Sequence, residues 1–117
     1  MVWKMAHSSK QKGNRFEREI VNLTKEAGLD AERAYGSNGK ALGFTEDVDV
    51  VIRTSWTDLK AQMKIRATIA DYIKPAVTVD LQVIRENRGE PLAVIRYKDL
   101  LELLVMLNNH QNQQTNG

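Results

Sequence analysis

Asp49, Gln62 and Lys64 are the residues of this chain best placed to do chemistry. Asp49 opens the apolar run Val50-Val51-Ile52. A turn-like Arg53-Thr54-Ser55-Trp56-Thr57 leads into a second run, Asp58 to Arg66, which carries Gln62-Met63-Lys64. Two strands joined by a hairpin bring Asp49 near Gln62 and Lys64. Alternate side chains of a strand share a face, so Gln62 and Lys64 point one way and Met63 the other. A carboxylate, an amide oxygen and a lysine at one sheet edge can hold Mg²⁺ beside a phosphate. Glu46 and Asp47 are the rival acids. Asp47 shares the face of Asp49 in an extended segment and is a candidate supporting acid.

Glu17 joins them by helical geometry. Phe16, Ile20, Leu23 and Ala27 recur at helical spacing and mark a buried side. Successive helical residues turn by about 100°. Glu17 therefore falls between Ile20 and Val21, inside an apolar arc, while Arg18 and Lys25 point away. A carboxylate on such an arc is costly unless a cation or a donor meets it. A metal site meets that need, and so does an edge position where the carboxylate pairs with a lysine or reaches water.

The order of these residues resembles the PD-(D/E)xK nuclease superfamily, here as Val48-Asp49 followed by Gln62-Met63-Lys64. Upstream, Lys12-Gly13-Asn14-Arg15-Phe16-Glu17-Arg18-Glu19-Ile20 is similar to the first helix of the archaeal-type Holliday junction resolvases. Arg33-Ala34-Tyr35-Gly36-Ser37 is similar to that family's strand and Gly-Ser loop. Order and spacing agree from about residue 10 to residue 66. Two positions depart from the family. The acid of the x-Lys pair is Gln62, which keeps a carbonyl oxygen and loses a charge. The proline that often precedes the aspartate is Val48.

The resemblance implies hydrolysis of phosphodiester bonds in branched DNA, such as a four-way junction, by a homodimer with one site per subunit. It implies Mg²⁺, with Mn²⁺ as a substitute, held by Asp49, by the Gln62 amide oxygen, by the Met63 carbonyl and by Glu17 directly or through water. Lys64 is then the residue that orients the attacking water and meets the developing charge, and Arg33 and Ser37 position the DNA backbone. Two other readings stay open. One is a nicking, flap or repair nuclease of the same superfamily. The other is a junction-binding protein with little catalysis.

Charge distribution bears on the substrate. The net charge is +2 and the pI about 9.0, too mild to demonstrate nucleic-acid binding. Residues 1 to 16 contain Lys4, Lys10, Lys12 and Arg15 and no acid. Lys40, Lys60, Lys64 and Arg66 cluster near the expected site or its loop. Of these, Lys10, Lys12, Arg15, Lys40 and Arg66 are candidate phosphate contacts beside Arg33 and Ser37. The alternative is a solvated basic face.

Other chemistry finds little support. His7 and His110 lie near the ends with no metal-like spacing. Gly36-Ser37-Asn38-Gly39-Lys40 lacks the full phosphate-loop pattern. Trp3 and Trp56 can stack on bases, but packing is the commoner use of a lone tryptophan. The chain has no cysteine, which excludes disulfides and thiolate metal sites and is compatible with a cytoplasmic location, or a host cytoplasm if the source is viral. No apolar stretch approaches membrane-spanning length, and residues 1–9 lack a secretory pattern.

The elements that must position the site are readable at a coarse level. Ser8 or Ser9 caps a helix running to about Ala27, with Gly28 ending it. Ala31 to Tyr35 reads as a strand, and residues 36–46, with three glycines, as a loop. Val48 to Arg53 and Asp58 to Arg66 are the hairpin. Ala67 to Ala76 is ambiguous, with Pro75 opposing a continuous helix. Thr78 reads as the cap of a helix through about Arg88, closed by Gly89. Pro91 to Tyr97 is a strand and Lys98 to Asn109 a final helix. The expected order is α-β-β-β-α-β-α, an α/β, restriction-endonuclease-like mixed β-sheet flanked by helices. At 117 residues it is one small domain over 1–109, with a disordered polar tail over 110–117.

Overall fold

The computed structural model describes residues 2–34 and 45–116, with side chains over 11–34 and 45–111. Helix α1 spans Val2–Glu26, and β1 (Asp30–Arg33), β2 (Val50–Arg53) and β3 (Asp58–Ala61) follow. Then come β4 (Leu81–Ile84), β5 (Leu92–Ile95) and α2 (Tyr97–Asn116). The class is α/β as expected. Among the described residues the strands form two antiparallel sheets, β1-β2-β3 and β4-β5.

Helix α1 ends as its sequence predicts. Gly28 takes a φ of 106°, which only glycine adopts without penalty. That bend lets Gly28 N donate to Lys25 O (3.0 Å) and Leu29 N to Thr24 O (3.1 Å). The paired bonds satisfy carbonyls of the last turn and aim Leu29 into the core. The helix begins earlier than Ser8, at Val2. Its buried arc is also rotated from the expected stripe. Ile20, Val21 and Thr24 are buried, whereas Leu23 and Ala27 are exposed. Glu17 therefore sits near the centre of the buried arc.

Strand β2 is the middle strand and supplies Val50 and Val51, both fully buried, and the buried Ile52. Val50 and Ile52 share a cluster with Val21, Leu29, Ala31, Leu101 and Leu104. Both helices thus contribute to one core. Tyr97, at the start of α2, bonds the buried Thr24 through its hydroxyl (2.6 Å) and ties the two helices together.

Three further expectations change. Residues 78–88 form no helix: they hold β4 and the start of its turn. In β4, Gln82 and Ile84 are half-buried and Leu81 and Val83 exposed, an alternation a helix cannot give. Gly89 closes a turn instead of a helix, donating to Glu86 O (2.9 Å) beside a left-handed Arg88. The order is thus α-β-β-β-β-β-α. Strand β3 stops at Ala61, before Gln62. Finally, α2 continues through Asn116, beyond the expected end at Asn109 and across most of the expected polar tail.

Candidate functional site at the sheet end

The end of the three-stranded sheet gathers the predicted residues. Arg33 and Val50 are the last paired residues of β1 and β2, and Ala34 N donates to Asp49 O (3.0 Å) just beyond them. On the other side of β2, Val50 pairs with Ala61, and Asp49 N donates to Ala61 O (2.9 Å). Asp49 is thus anchored by its backbone to both neighbours.

Its side chain continues the job of the ladder. Met63 N donates to Asp49 Oδ2 (2.7 Å), so the carboxylate accepts from the backbone of the Gln62-Met63-Lys64 segment. A charged acceptor strengthens that bond. The segment keeps strand-like alternation although the strand has ended. Met63 is half-buried against the core, and Gln62 and Lys64 are exposed. The predicted hairpin therefore does bring Asp49 to this segment and turns Gln62 and Lys64 outward. Asp47 is exposed on the approach to Asp49.

Glu17 reaches the same sheet end from α1, which packs on β1 and β2. Its carboxylate Oε1 accepts from Arg33 Nε at 3.1 Å, with the two side chains only 16% and 19% exposed. The cation that offsets a carboxylate on the buried arc is therefore an arginine. Arg33 Nη2 also donates to Asn14 Oδ1 (3.1 Å). Asn14 lies three residues before Glu17, so both occupy one face of α1. Sequence reasoning missed Asn14. Its helical position was readable, since it falls near Val21 at about 100° per residue, but its partner lies on β1.

The remaining predicted contacts are scattered. Lys12 and Arg15 are exposed on α1, and Arg66 is exposed with Nη1 donating to Ile65 O (2.9 Å). The side chain of Lys10, together with Ser37, Lys40 and the whole Gly36–Lys40 segment, lies outside the described residues. Trp56 is exposed at the β2–β3 turn, whose Ser55 N donates to Asn108 Oδ1 of α2 (2.7 Å).

Among the described residues no group of three or more His, Cys, Asp or Glu side chains converges. The donors at the sheet end are instead two carboxylates, one amide and backbone carbonyls. This all-oxygen set suits a hard divalent cation of the Mg²⁺ type, which keeps several waters and uses only one or two carboxylates. It does not suit a soft or borderline metal, for which thiolate or imidazole would be expected. An apolar groove of about 800 Å³ lies elsewhere, lined by Leu23, Ala27, Tyr97, Leu101, Val105 and Met106.

No curated protein and no solved structure matches the sequence. Residues 8–116 match the family model described as archaeal Holliday junction resolvase (Hjc). The match spans both sheets, α2 and most of α1, including every residue at the sheet end described above. The chain therefore belongs to the archaeal Holliday junction resolvase family.

Proposed function

We propose that this protein is a divalent-metal-dependent endodeoxyribonuclease of the PD-(D/E)xK type that cuts four-way DNA junctions as a homodimer. The observation that carries the reading is the Asp49 carboxylate held on the backbone of Gln62-Met63-Lys64 at the end of β2. Family membership supplies the substrate class.

Each residue's place supports a role in this reading. Asp49, the Gln62 amide oxygen and the Met63 carbonyl would hold the metal, and Glu17 would add a carboxylate directly or through water. The metal, when bound, lowers the pKa of a coordinated water and offsets charge on the phosphoryl oxygens. Lys64, exposed one residue past Met63, orients the attacking water and stabilises the charge that develops on the phosphate. Arg33 brings a planar donor set matched to phosphate oxygens. Lys12, Arg15 and Arg66 offer phosphate contacts that position DNA without reading sequence.

A second reading has a specific observation behind it. Gln62 is neutral, and the Glu17 carboxylate is engaged by Arg33. Two carboxylates then face two cations, Arg33 and Lys64, and the attraction for a divalent ion is weakened. Such a site suits a junction-binding protein with little catalysis.

One panel separates these readings. Four-way junction, fork, flap and linear duplex are incubated with the protein in Mg²⁺ or Mn²⁺. Preferred cutting of the junction supports a resolvase. Equal cutting of all four forms leaves a nuclease of another kind. Tight junction binding with no cleavage in either metal supports the binding reading.

A further inference from the structure

We propose that Tyr72 is a specificity residue for branched DNA: the loop between β3 and β4 holds its ring outward, where it stacks on a base pair left open at the point where the arms part. The inference rests on the junction reading above and adds a contact with bases to the contacts with phosphates.

The loop continues directly from the segment that carries Gln62 and Lys64, and over 65–80 it contains no helix or strand. Side chains of the β4–β5 hairpin and its exit nevertheless brace it. Gln82 of β4 donates through Nε2 to Tyr72 O. Arg96, just past β5, donates through Nη1 to Val79 O and through Nη2 to Ala76 O, each at 2.9 Å. Within the loop, Ile73 N donates to Ala70 O (3.0 Å), Lys74 N to Asp71 O (3.2 Å) and Val79 N to Ala76 O (3.0 Å). Pro75 fixes its own φ between those turns. The backbone is thus held at Tyr72 and again at Ala76 and Val79. Yet Tyr72 is 69% exposed, and Ile69 and Val77 are exposed as well. The bracing therefore buries little of the ring and fixes instead where the ring is presented.

Charge names the partner. From Lys64 to Val79 the bases are Lys64, Arg66 and Lys74, and the one acid is Asp71, which pairs with Lys74 at 3.5 Å. A ring among cations suits DNA, because the cations meet phosphates while the ring meets a base. Lys64 and Tyr72 are eight residues apart, so their Cα atoms lie at most ~29 Å from each other, about eight base-pair steps of duplex. One DNA molecule lying on Lys64 therefore reaches Tyr72. In a linear duplex every pair is stacked on both sides, so a ring enters only by parting a step. At a branch point the end pairs of the arms part more easily, and the same ring adds affinity there.

Tyr72→Ala and Tyr72→Phe are compared with wild type for binding to a four-way junction and to a linear duplex of the same arm sequence, with Ca²⁺ in place of Mg²⁺. Both DNAs carry a fluorescent purine analogue, at the branch point of the junction and at the matching position of the duplex. The proposal expects Tyr72→Ala to bind the junction about tenfold more weakly, the size of one lost base–aromatic stack, and the duplex less than about twofold more weakly. Tyr72→Phe keeps the ring and should bind both DNAs as wild type does. Wild type and Tyr72→Phe should change the fluorescence at the branch point, and Tyr72→Ala should not. Because the side chain is exposed, both variants should keep the unfolding midpoint of wild type. Equal losses on the two DNAs, Tyr72→Phe as weak as Tyr72→Ala, a branch-point signal that wild type leaves unchanged, or a wild type that binds junction no better than duplex would each overturn the proposal. So would a Tyr72→Ala protein that sediments as a smaller species than wild type, since the ring would then belong to a contact between copies. A wild type that binds junctions but cuts none in Mg²⁺ or Mn²⁺ removes the nuclease reading instead, and the two affinities then still decide the role of Tyr72.

Discussion

Asp49 has two jobs at the residue scale, and they need different substitutions to separate. Its Oδ2 accepts from Met63 N, so alanine would leave that half-buried donor without its partner and disturb the very segment that bears Gln62 and Lys64. Asparagine keeps an acceptor oxygen and removes only the charge. Asp49→Asn should therefore abolish junction cleavage, by at least about a hundredfold, while leaving the unfolding midpoint close to wild type. Cleavage by a folded Asp49→Asn protein at wild-type rate would mean that Asp49 is a structural acceptor only. Gln62 is exposed and tolerates exchange, which makes it the better probe of metal binding. Carboxylates attract hard cations more strongly than amides do. Gln62→Glu should keep activity and lower the Mg²⁺ concentration needed for half-maximal rate, and Gln62→Ala should raise it. A magnesium titration that superimposes for all three proteins would remove Gln62 from the ligand set. Asp49 was legible because it opens the apolar run Val50-Val51-Ile52, and Gln62 and Lys64 because they alternate with Met63; the order shared with the family singled them out. The sequence placed Glu17 on a buried arc but left its partner open, because the pairing joins residues 17 and 33 through the packing of α1 on β1.

Elements show where local signals compete. The stretch from Thr78 to Gly89 carries a helix cap at one end and a helix stop at the other, and both signals are genuine turn chemistry put to another use. Gly89 and the left-handed Arg88 close the β4–β5 loop, and the period-two pattern of Leu81 to Ile84 decides the element. Four residues are too short a run for that pattern to outweigh two punctuation residues when read from sequence alone. The junction between α1 and α2 is the opposite case, a contact that no pattern announces. Thr24 Oγ1 donates to Ile20 O (2.7 Å), so its single proton is used and Tyr97 donates to Thr24. Burial pushes the Tyr97 hydroxyl above its ordinary value, with the bond to Thr24 opposing in part. A raised folded-state value means that ionisation is disfavoured in the native protein. The resulting stability is full below the unfolded value near 10 and is lost as pH climbs through the folded value. Tyr97→Phe should cost about 1 kcal/mol at neutral pH and should flatten the decline in stability above about pH 10. Urea unfolding at both pH values measures this, and parallel declines for the two proteins would rule out Tyr97 as the titrating group.

At the scale of the whole molecule, one chain does not cover its own apolar surface. Leu101 and Leu104 of α2 enter the core, but Leu103, Met106 and Leu107 are 50%, 67% and 55% exposed. Val83 of the β4–β5 hairpin is 64% exposed, and among the described residues the hairpin's strands pair only with each other. The radius of gyration is 16.7 Å, against about 13 Å for a compact chain of this length. A monomer in water would pay for that surface, and patches of this kind mark interaction sites. No described helix is long and apolar enough to cross a membrane. A second copy offers the same face, and a two-fold arrangement buries both at once. In such a dimer two sheet ends would present two sets of Asp49 and Lys64, which would suit paired cuts on the near two-fold arms of a four-way junction. The protein should therefore sediment as a dimer at micromolar concentration. Met106→Glu should shift it toward monomer, because a charge cannot be buried there without a partner. The same substitution should depress junction cleavage more than cleavage of any linear duplex, since only the junction needs both sites. Junction affinity should fall steeply with salt, with a log–log slope that shrinks when Lys12 or Arg15 is replaced by alanine. A wild-type monomer that still cuts junctions in pairs would show that α2 covers itself in some other way and that the two sites meet only on the DNA.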